Sequence, residues 1–384
     1  MSHPDPEKQT ETATVGSSSE DLSDLLVTQQ VSYRQLLYLR FLRNKLAVAG
    51  FWILAILYVV ALGAEFFAPY DKITRFGDIL APPRLPRFLD ADGEFHLRPF
   101  VYAYEKGRDP QTLRRTYAAD TTERYPLGLF VRGDEYEFLF IKSNVHLFGV
   151  EGAEVFLLGT DNQGRDLFSR VIYGARLSTT IGLCGVAISL VLGIIIGMIS
   201  GYLGGIVDQA IQRGIEVLLS FPSIPLWLAL SALLPLDWSP RRIFFFITII
   251  LSILNWGSLA RIVRGLTLSV KNEEYVLSAR MGGGGRWWII RRHLFPANLS
   301  YAIVAATLSV PEMILGETAL SFLGLGLRPP AVSWGVLLQA SQKVSVLGVA
   351  PWLISPVAFV IVTVLAFNFV GDGLRDAVDP HSRF

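Results

Sequence analysis

Two carboxylic acids stand inside an apolar stretch of the sequence, where a charge is costly. Glu312 and Glu317 fall in a run from about Ser300 to Leu325 that holds no other charged residue. An ionised acid in lipid costs about 2.5–3.5 kcal/mol on insertion scales, so each should face protein or water. Either acid could line a path and meet a solute amine, or carry a proton. The other interpretation, a hydrogen bond to a neighbouring helix, is favoured for both.

The remaining reactive residue types form no recognisable catalytic or metal-binding set. The histidines are scattered outside the apolar runs, at His3, His96, His146, His293 and His381. Cys184 is the only cysteine, so no disulfide can form within one chain. The sequence contains no H-E-x-x-H, no G-x-S-x-G and no G-x-x-x-x-G-K-[ST] phosphate loop. A membrane-embedded hydrolase is therefore disfavoured, and no nucleotide site is expected in this chain.

Composition points to lipid as the solvent for much of the chain. Hydrophobic residues make up 51% and charged residues 17%, against about 25% charged in a typical soluble domain. The net charge of +1 gives no basic field for nucleic acid. Six apolar runs are long enough to cross a bilayer. They are Leu46–Ala64, part of Leu177–Val207, Val217–Leu236, Ile243–Ala260, about Ser300–Leu325, and part of Val344–Val370. These runs predict an all-α polytopic membrane protein with six transmembrane helices.

Basic residues beside the spans predict the orientation of the chain. Positive charges concentrate before the first span, at Arg34, Arg40, Arg43 and Lys45, and in the segment between spans four and five. By the positive-inside rule both lie in the cytoplasm, and so do both termini. Arg241 and Arg242 run against this rule, because they stand in a short loop predicted outside. Proline in span three, at Pro222, Pro225 and Pro235, is expected to kink that helix.

The spans divide the chain into segments. Residues 1–30 are polar and are predicted to be a disordered cytoplasmic tail. Residues 31–66 hold span one, an expected uncleaved signal anchor, preceded either by an amphipathic surface helix or by a plain extension of the span. Residues 177–371 form the five-helix core, and 372–384 a cytoplasmic tail.

Residues 67–176 are too polar and too rich in proline to cross a membrane, and predict a small extracytoplasmic insertion of α/β or mostly β structure. Alternating patterns predict strands at Glu135–Ile141 and Val155–Leu158, and a helix is expected at Pro110–Tyr117. This insertion could contact a solute receptor or only pack over the mouth of a pore.

The inside segment 264–298 carries the most informative pattern. Asn272 is predicted to cap a short helix that places Arg280 in its last turn and ends at Gly282–Gly285. A second helical piece is predicted to end at Pro296. Such an element could transmit a rigid-body push from a soluble partner to the spans, although an ordinary basic interfacial loop would look similar.

This segment resembles the EAA loop of ABC importer permeases, in the form E-Y-V-x-A-A-R found in their dipeptide/oligopeptide branch. Leu277, Ser278 and Ala279 hold the EAA positions, so Leu277 stands where the signature glutamate is expected. The resemblance implies a set of residues that couple to an ATPase. They are Glu274, Tyr275, Leu277, Ser278, Ala279, Arg280, Gly283, His293 and Pro296.

Four further segments resemble the C-type permease subunit of that branch. They are Leu158–Arg170, Gly201–Gly205 with Phe221-Pro222, Glu317–Gly326 with Ser333–Gly335, and Gly371–Asp376 with Asp379-Pro380. The resemblance implies a permease in the bacterial inner membrane that imports peptides or similar small solutes. The chain itself is expected not to be an enzyme and to bind no cofactor. ATP is expected to bind to, and be hydrolysed by, a partner subunit.

The partners implied by the resemblance are a homologous second permease, two ATP-binding cassette subunits and an extracytoplasmic solute-binding protein, with membrane lipid around the spans. The alternative is a secondary transporter, driven by an ion gradient, that uses Glu312 or Glu317 as a proton carrier.

Overall fold

The computed structural model describes residues 33–111, 115–138 and 140–378. The predicted tail at 1–30 and the end of the chain at 379–384 lie outside the described residues. Before the sheet come α1 (Tyr33–Arg43), α2 (Lys45–Leu62) and α3 (Ala64–Phe67). After it come α4 (Leu167–Leu203), α5 (Gly205–Ser220), α6 (Ser223–Ala232), α7 (Pro240–Val270), α8 (Glu274–Met281), α9 (Arg286–Ile289), α10 (Phe295–Phe322), α11 (Trp334–Gln339), α12 (Val344–Leu347) and α13 (Pro356–Val378).

The number of membrane spans agrees with the prediction. Within the described residues, five helical segments are long and apolar enough to cross a membrane, and a sixth follows if the bent pair α5–α6 counts as one. That pair turns by 84° at its break, where Pro222 cannot continue the α5 hydrogen-bond ladder. The kink expected from proline in span three is therefore confirmed.

Two predicted boundaries were wrong, the start of span two and the start of the last tail. Span two begins at Leu167, because Asp166 caps α4 by accepting the N–H of Ser169 at 2.7 Å. Span six occupies only the second part of its predicted range, because Val344 lies in the separate helix α12 and α13 begins at Pro356. That helix continues to Val378, past the predicted start of a tail at residue 372. Hydropathy locates apolar runs, whereas caps and tertiary packing decide where helices end.

The segment before span one forms its own helix. Asn44 separates α1 from α2 and caps α2 by accepting the N–H of Ala47 at 3.1 Å. Helix α1 packs against α13, and Gly373 lies so close to Phe41 and Ala47 that a methyl group there would be 2.2 Å from the Ala47 side chain. The two ends of the described chain are thus packed together.

Most of the insertion is an antiparallel four-stranded sheet in the order β1–β2–β3–β4. Its strands are β1 (Arg87–Leu89), β2 (Phe95–Arg108), β3 (Arg115–Phe138) and β4 (Ile141–Val150). The helix predicted at Pro110–Tyr117 was wrong where the chain is described, because Arg115–Tyr117 belong to β3. The strand predicted at Val155–Leu158 is irregular backbone. Cross-strand pairing, such as Glu105 opposite Ala118, overrides local helix propensity here.

Helix α4 is the centre of the bundle and packs most extensively against α7. Three glycines at four-residue spacing make the close approach possible: Gly193, Gly197 and Gly201. A methyl group on Gly197 would lie 2.6 Å from the backbone oxygen of Ala260. Small residues at this spacing let two transmembrane backbones approach, which gives dispersion contacts that lipid cannot replace.

A buried ionic cluster joins the insertion to the start of α4. Asp161 accepts from the guanidinium groups of Arg165, at 2.7 and 2.8 Å, and of Arg170. The neighbouring Thr160 accepts the N–H of Ala81 at 2.8 Å, and its carbonyl accepts the indole N–H of Trp352 at 3.1 Å. This segment resembles the C-type subunits. It therefore connects the start of α4 both to the insertion, through Ala81, and to the segment before α13, through Trp352.

Candidate functional site

Helix α8 is a short, sharply ended element of segment 264–298, the loop predicted to lie inside (the inner loop). It begins at Glu274 after Glu273, not after a side-chain cap from Asn272, so that capping prediction was wrong. At its end the N–H of Gly283 donates to Arg280 at 3.1 Å, and that of Gly284 to Ala279 at 3.0 Å. These two bonds and the φ of +83° at Gly283 form a Schellman motif. Glycine is the residue that takes this backbone without strain.

The second helical piece does not end at Pro296 as predicted. Helix α9 passes through a π-turn at Ile290–Leu294 directly into α10, and Pro296 lies in the first turn of α10. Pro296 has no N–H, so it leaves one carbonyl of the preceding π-turn without a partner from this helix. The loop and the fifth span therefore form one continuous helical rod.

A small core holds α8 against this rod. Val276 is 2% exposed and packs with Ile289, Ile290 and Leu294, as well as with Val263 of α7. The ring of His293 lies 5.9 Å from that of Tyr275 and 5.0 Å from that of Trp288, measured between centroids. His293 therefore contacts both helical pieces, so a displacement of α8 would also move the α9–α10 rod.

The outer face of the same element is apolar and basic. Met281 is 87% exposed and Trp287 69% exposed, with Tyr275, Leu277 and Trp288 also on the surface. Glu274, Ser278, Arg280, Arg286, Arg291 and Arg292 are exposed as well, and Ala279 is half-buried. Large aromatic residues beside arginine are typical of the centres of protein interfaces.

Hydrogen bonds join the end of α7, which leads into α8, to three other helices. Arg264 of α7 donates to both carboxylate oxygens of Asp208 on α5, at 2.5 and 2.6 Å. The ammonium of Lys271 reaches the carbonyl of Gly201 at the end of α4 at 3.1 Å. Asn298 of α10, 1% exposed, donates to the hydroxyl of Thr267 at 2.9 Å. Motion of the loop would therefore be transmitted to α4, α5 and α10.

Sequence reasoning missed Asp208 and Trp287 as parts of this element. Asp208 is an acid one turn after Gly204-Gly205, which was a detectable signal. Its partner Arg264 lies on another helix, and local spacing does not identify such a pair. Trp287 and Trp288 were visible as an aromatic pair in a basic loop, a composition that could have indicated an interface.

The two intramembrane acids have different surroundings. Glu317 is fully buried, and it accepts from the hydroxyls of Ser178 at 2.9 Å and Ser321 at 2.8 Å. The Ser178 oxygen also accepts the backbone N–H of Trp334 at 3.1 Å. This acid links α4, α10 and the start of α11. Glu312 is exposed and has no hydrogen bond or ion pair within residues 33–111, 115–138 and 140–378. Their pore-lining roles stay predictions.

A group of potential metal ligands in the sheet already has a cation beside it. Asp90, Glu94 and His96 meet at the turn between β1 and β2. The Asp90 carboxylate accepts from His96 at 2.8 Å and from the guanidinium of Arg124 at 2.5 Å. Arg124 therefore supplies the positive charge that a metal would bring, and the group serves as an ion-paired turn.

Two family models match the chain. Residues 193–384 match the model described as "Binding-protein-dependent transport system inner membrane component". Residues 32–83 match the model of the N-terminal transmembrane domain of oligopeptide transport permease C. Together these regions include α1, α2, the last part of α4 from Gly193 and the whole inner loop, but not the sheet.

Relatives of this chain match it over most of their own length. The chain is 45% identical over 235 residues to the oligopeptide transport system permease protein OppC of Haemophilus influenzae, which is 61% of this chain and 72% of the relative. It is 44% identical over 226 residues to OppC of Escherichia coli, which covers 59% and 72%. The dipeptide transport system permease protein DppC of Bacillus subtilis is 32% identical over 361 residues, 94% of this chain and 90% of the relative.

Proposed function

The chain belongs to the family of binding-protein-dependent transport system inner membrane components, and we propose that its solutes are peptides or similar small molecules. It is a multi-pass inner membrane protein and the permease subunit of an ATP-driven ABC importer. The relatives named for oligopeptide and dipeptide transport support peptides as the solute class. The alternative, a secondary transporter driven by an ion gradient, has no support among them.

The partners proposed are a homologous second permease, two ATP-binding cassette subunits and an extracytoplasmic solute-binding protein. ATP would bind to the cassette subunits, since this sequence has no phosphate loop. Both termini would lie in the cytoplasm and the β-sheet outside, as the positive-inside rule indicates.

The observation that carries the coupling role is the exposed aromatic and basic face of α8 and α9. Tyr275, Met281 and Trp287 project from an element that is well packed on its opposite side. An ATPase subunit would bury this face in a cleft. Because Leu277 replaces the glutamate expected there, its contact with the ATPase would be apolar rather than ionic.

The packing of the loop explains how closure of the ATPase would reach the spans. A push on α8 passes through Val276 and His293 to the α9–α10 rod. It also passes through α7 and the Arg264–Asp208 pair to α5. Packed helices move as rigid bodies between discrete arrangements rather than deforming continuously.

The exposed acid on α10 indicates which face of that helix meets the transport path. Glu312 and Leu315, one turn further along, are both on the surface of the single chain. An acid in this position should face protein or water rather than lipid. We therefore place the second permease or the solute path against this face, where Glu312 could meet a peptide amine.

A pair of cysteine variants tests the docking role. In a Cys184→Ser background, Leu277→Cys puts a thiol on the loop, and Leu97→Cys puts one on the sheet, where Leu97 is 90% exposed. A thiol-to-amine crosslinker is applied to membranes containing the whole transporter. Leu277→Cys should crosslink to an ATPase subunit and Leu97→Cys should not. Equal crosslinking of both, or none from Leu277→Cys, would contradict the proposal.

A further inference from the structure

A cavity of about 600 Å³ opens between α4, α7 and the segment before α11, on the side of the membrane that carries the sheet. Leu177 of α4, Phe244 of α7 and Val332 form its apolar wall, and Thr180 of α4 lies beside them. Lys72, Arg176 and Arg241 also line it, and no carboxylate lines it among the described residues. The cavity is thus apolar at one end and cationic at the other.

Two of these cations form no ion pair within the described residues, although Glu65 lies near enough for the Lys72 charge to lower the pKa of its carboxyl. The charge of Arg176 is already paired, because its guanidinium donates to both carboxylate oxygens of Glu65, at 2.8 and 2.6 Å. Lys72 lies over the ring of Tyr173, 5.3 Å from its centroid, and both Lys72 and Arg241 are exposed. Neither forms an ion pair within the described ranges 33–111, 115–138 and 140–378. An anion in the cavity would gain their charge without displacing an existing partner.

The depth of the cavity corresponds to the boundary between headgroups and hydrocarbon. The uncharged stretch of α4 begins at Leu177, directly after Arg176. Phe244 lies one helical turn along α7 from its start at Pro240. The apolar wall therefore lies at the edge of the hydrocarbon, whereas Lys72 and Arg241 lie at headgroup level. This arrangement also explains why Arg241 is present in spite of the positive-inside rule, which disfavours arginine in a short outer loop.

We propose that this cavity binds an anionic phospholipid, with its phosphate between Lys72 and Arg241 and an acyl chain along Leu177 and Phe244. Basic residues beside a bilayer attract anionic lipids, and clefts between transmembrane helices that combine basic and apolar walls hold their headgroups and chains. The lipid would fill the gap between α4 and α7 at their sheet-side ends.

Neighbouring arginines provide a matched test. Arg241→Gln and Arg242→Gln remove the same charge one residue apart, but Arg242 does not line the cavity. The whole transporter is reconstituted in vesicles containing phosphatidylglycerol, extracted in mild detergent, and its retained lipid is counted by native mass spectrometry. Arg241→Gln should retain phosphatidylglycerol about fivefold more weakly, and Lys72→Gln should do the same. Arg242→Gln should match the unmodified protein, and Arg241→Lys should restore retention.

Three outcomes would overturn the proposal. Equal loss in Arg241→Gln and Arg242→Gln would mean a general charge effect rather than a site. Equal retention of phosphatidylcholine in a parallel reconstitution would show that the phosphate charge is not selected. Release of the lipid by free glycerol phosphate, with tighter binding of that anion, would assign the cavity to a soluble ligand. The melting temperature of each variant confirms that it is folded.

Discussion

Arg264 on α7 holds Asp208 on α5 through both carboxylate oxygens, at 2.5 and 2.6 Å. The hydroxyl of Ser200 on α4 donates to the same carboxylate at 2.5 Å. Three membrane helices thus meet at one acid beside the inner loop. An ionic link of this kind fixes the distance between these helices, which would then move together under the proposed push on the loop.

Breaking this link should weaken the fold more than breaking an ordinary surface pair. Asp208→Asn leaves the half-buried Arg264 without its charged partner and should cost about 1.5–3 kcal/mol, toward the lower end because Arg264 is partly solvated. Glu216→Gln removes the exposed Arg213–Glu216 pair and should cost about 0.2–1 kcal/mol. Thermal unfolding of the purified transporter measures both, and equal losses would show that Asp208 is not a special link.

Two glycines in one loop should respond in opposite ways to alanine. Gly283 has φ +83°, whereas Gly285 has φ −66°, and a methyl group would meet no atom within 4 Å at either position. Gly283→Ala should therefore cost roughly 1–2 kcal/mol through backbone strain alone. Gly285→Ala should be neutral or stabilising by up to about 1 kcal/mol.

The same pair of variants reports on coupling to ATP hydrolysis. Because Gly283 ends α8, its alanine variant should reduce stimulation of the ATPase by solute-loaded binding protein, with membrane insertion intact. Gly285→Ala should leave stimulation unchanged. Normal stimulation in Gly283→Ala would mean that the geometry of this helix end is not needed for docking.

The two acids of span five should separate into a structural and a transport role. Glu317→Ala leaves the hydroxyls of Ser178 and Ser321 without their buried acceptor, and should lower stability by about 1–3 kcal/mol. Glu312→Gln loses no contact within the described chain and should unfold like the parent protein. Its effect should appear in peptide uptake by reconstituted vesicles. Unchanged uptake would remove Glu312 from the transport path.

Acid should destabilise the sheet by protonating Asp90 in the turn between β1 and β2. The hydrogen bond from His96 lowers the pKa of Asp90 to about 2, and the N–H groups of Glu94 and Asp92 and the charge of Arg124 act in the same direction. The ordinary value is 3.8. A carboxyl whose pKa is lowered in the folded state stabilises above pH 3.8, and this contribution is lost as the pH falls toward about 2.

Hydrogen exchange of β1 and β2 across this pH window measures the effect. Protection should decrease with falling pH in the parent protein, and this pH dependence should be weaker in Asp90→Asn. Asp92→Asn is the control, because its side chain is not part of the interaction with His96 and Arg124. The same pH dependence in Asp90→Asn and the parent would assign the acid sensitivity to other groups.

The membrane spans were predictable because a helix in lipid needs a continuous run of apolar residues, which is visible in the local sequence. The sequence alone therefore located the five long apolar helices and the bent pair α5–α6. Helix ends were less predictable. The start of α4 depends on the cap at Asp166, and the start of α13 depends on how the segment after α12 packs. Alternation indicated strands in the insertion but left α/β and mostly β structure open, and it did not predict the strand pairing.

In the inner loop, too, local features were predictable from the sequence and contacts between distant residues were not. Glu274, Arg280 and Gly283 were recognised from their order along the chain, since helix dipole and helix-end geometry act over neighbouring residues. The contact of His293 with Tyr275 and the pairing of Asp208 with Arg264 were not, because they join residues from separate turns or separate helices.

By itself the sequence determined that this chain crosses a membrane, carries a basic loop that resembles the coupling loop of ABC importer permeases, and holds two acids in span five. Only the tertiary structure decided that Glu317 is bound by serines of two helices whereas Glu312 faces outward. It also brought Lys72 and Arg241 to one cavity from segments far apart in the chain. The physical reason is that hydrophobicity and helix capping act locally along the chain. Burial and charge environment depend on which distant segments pack together.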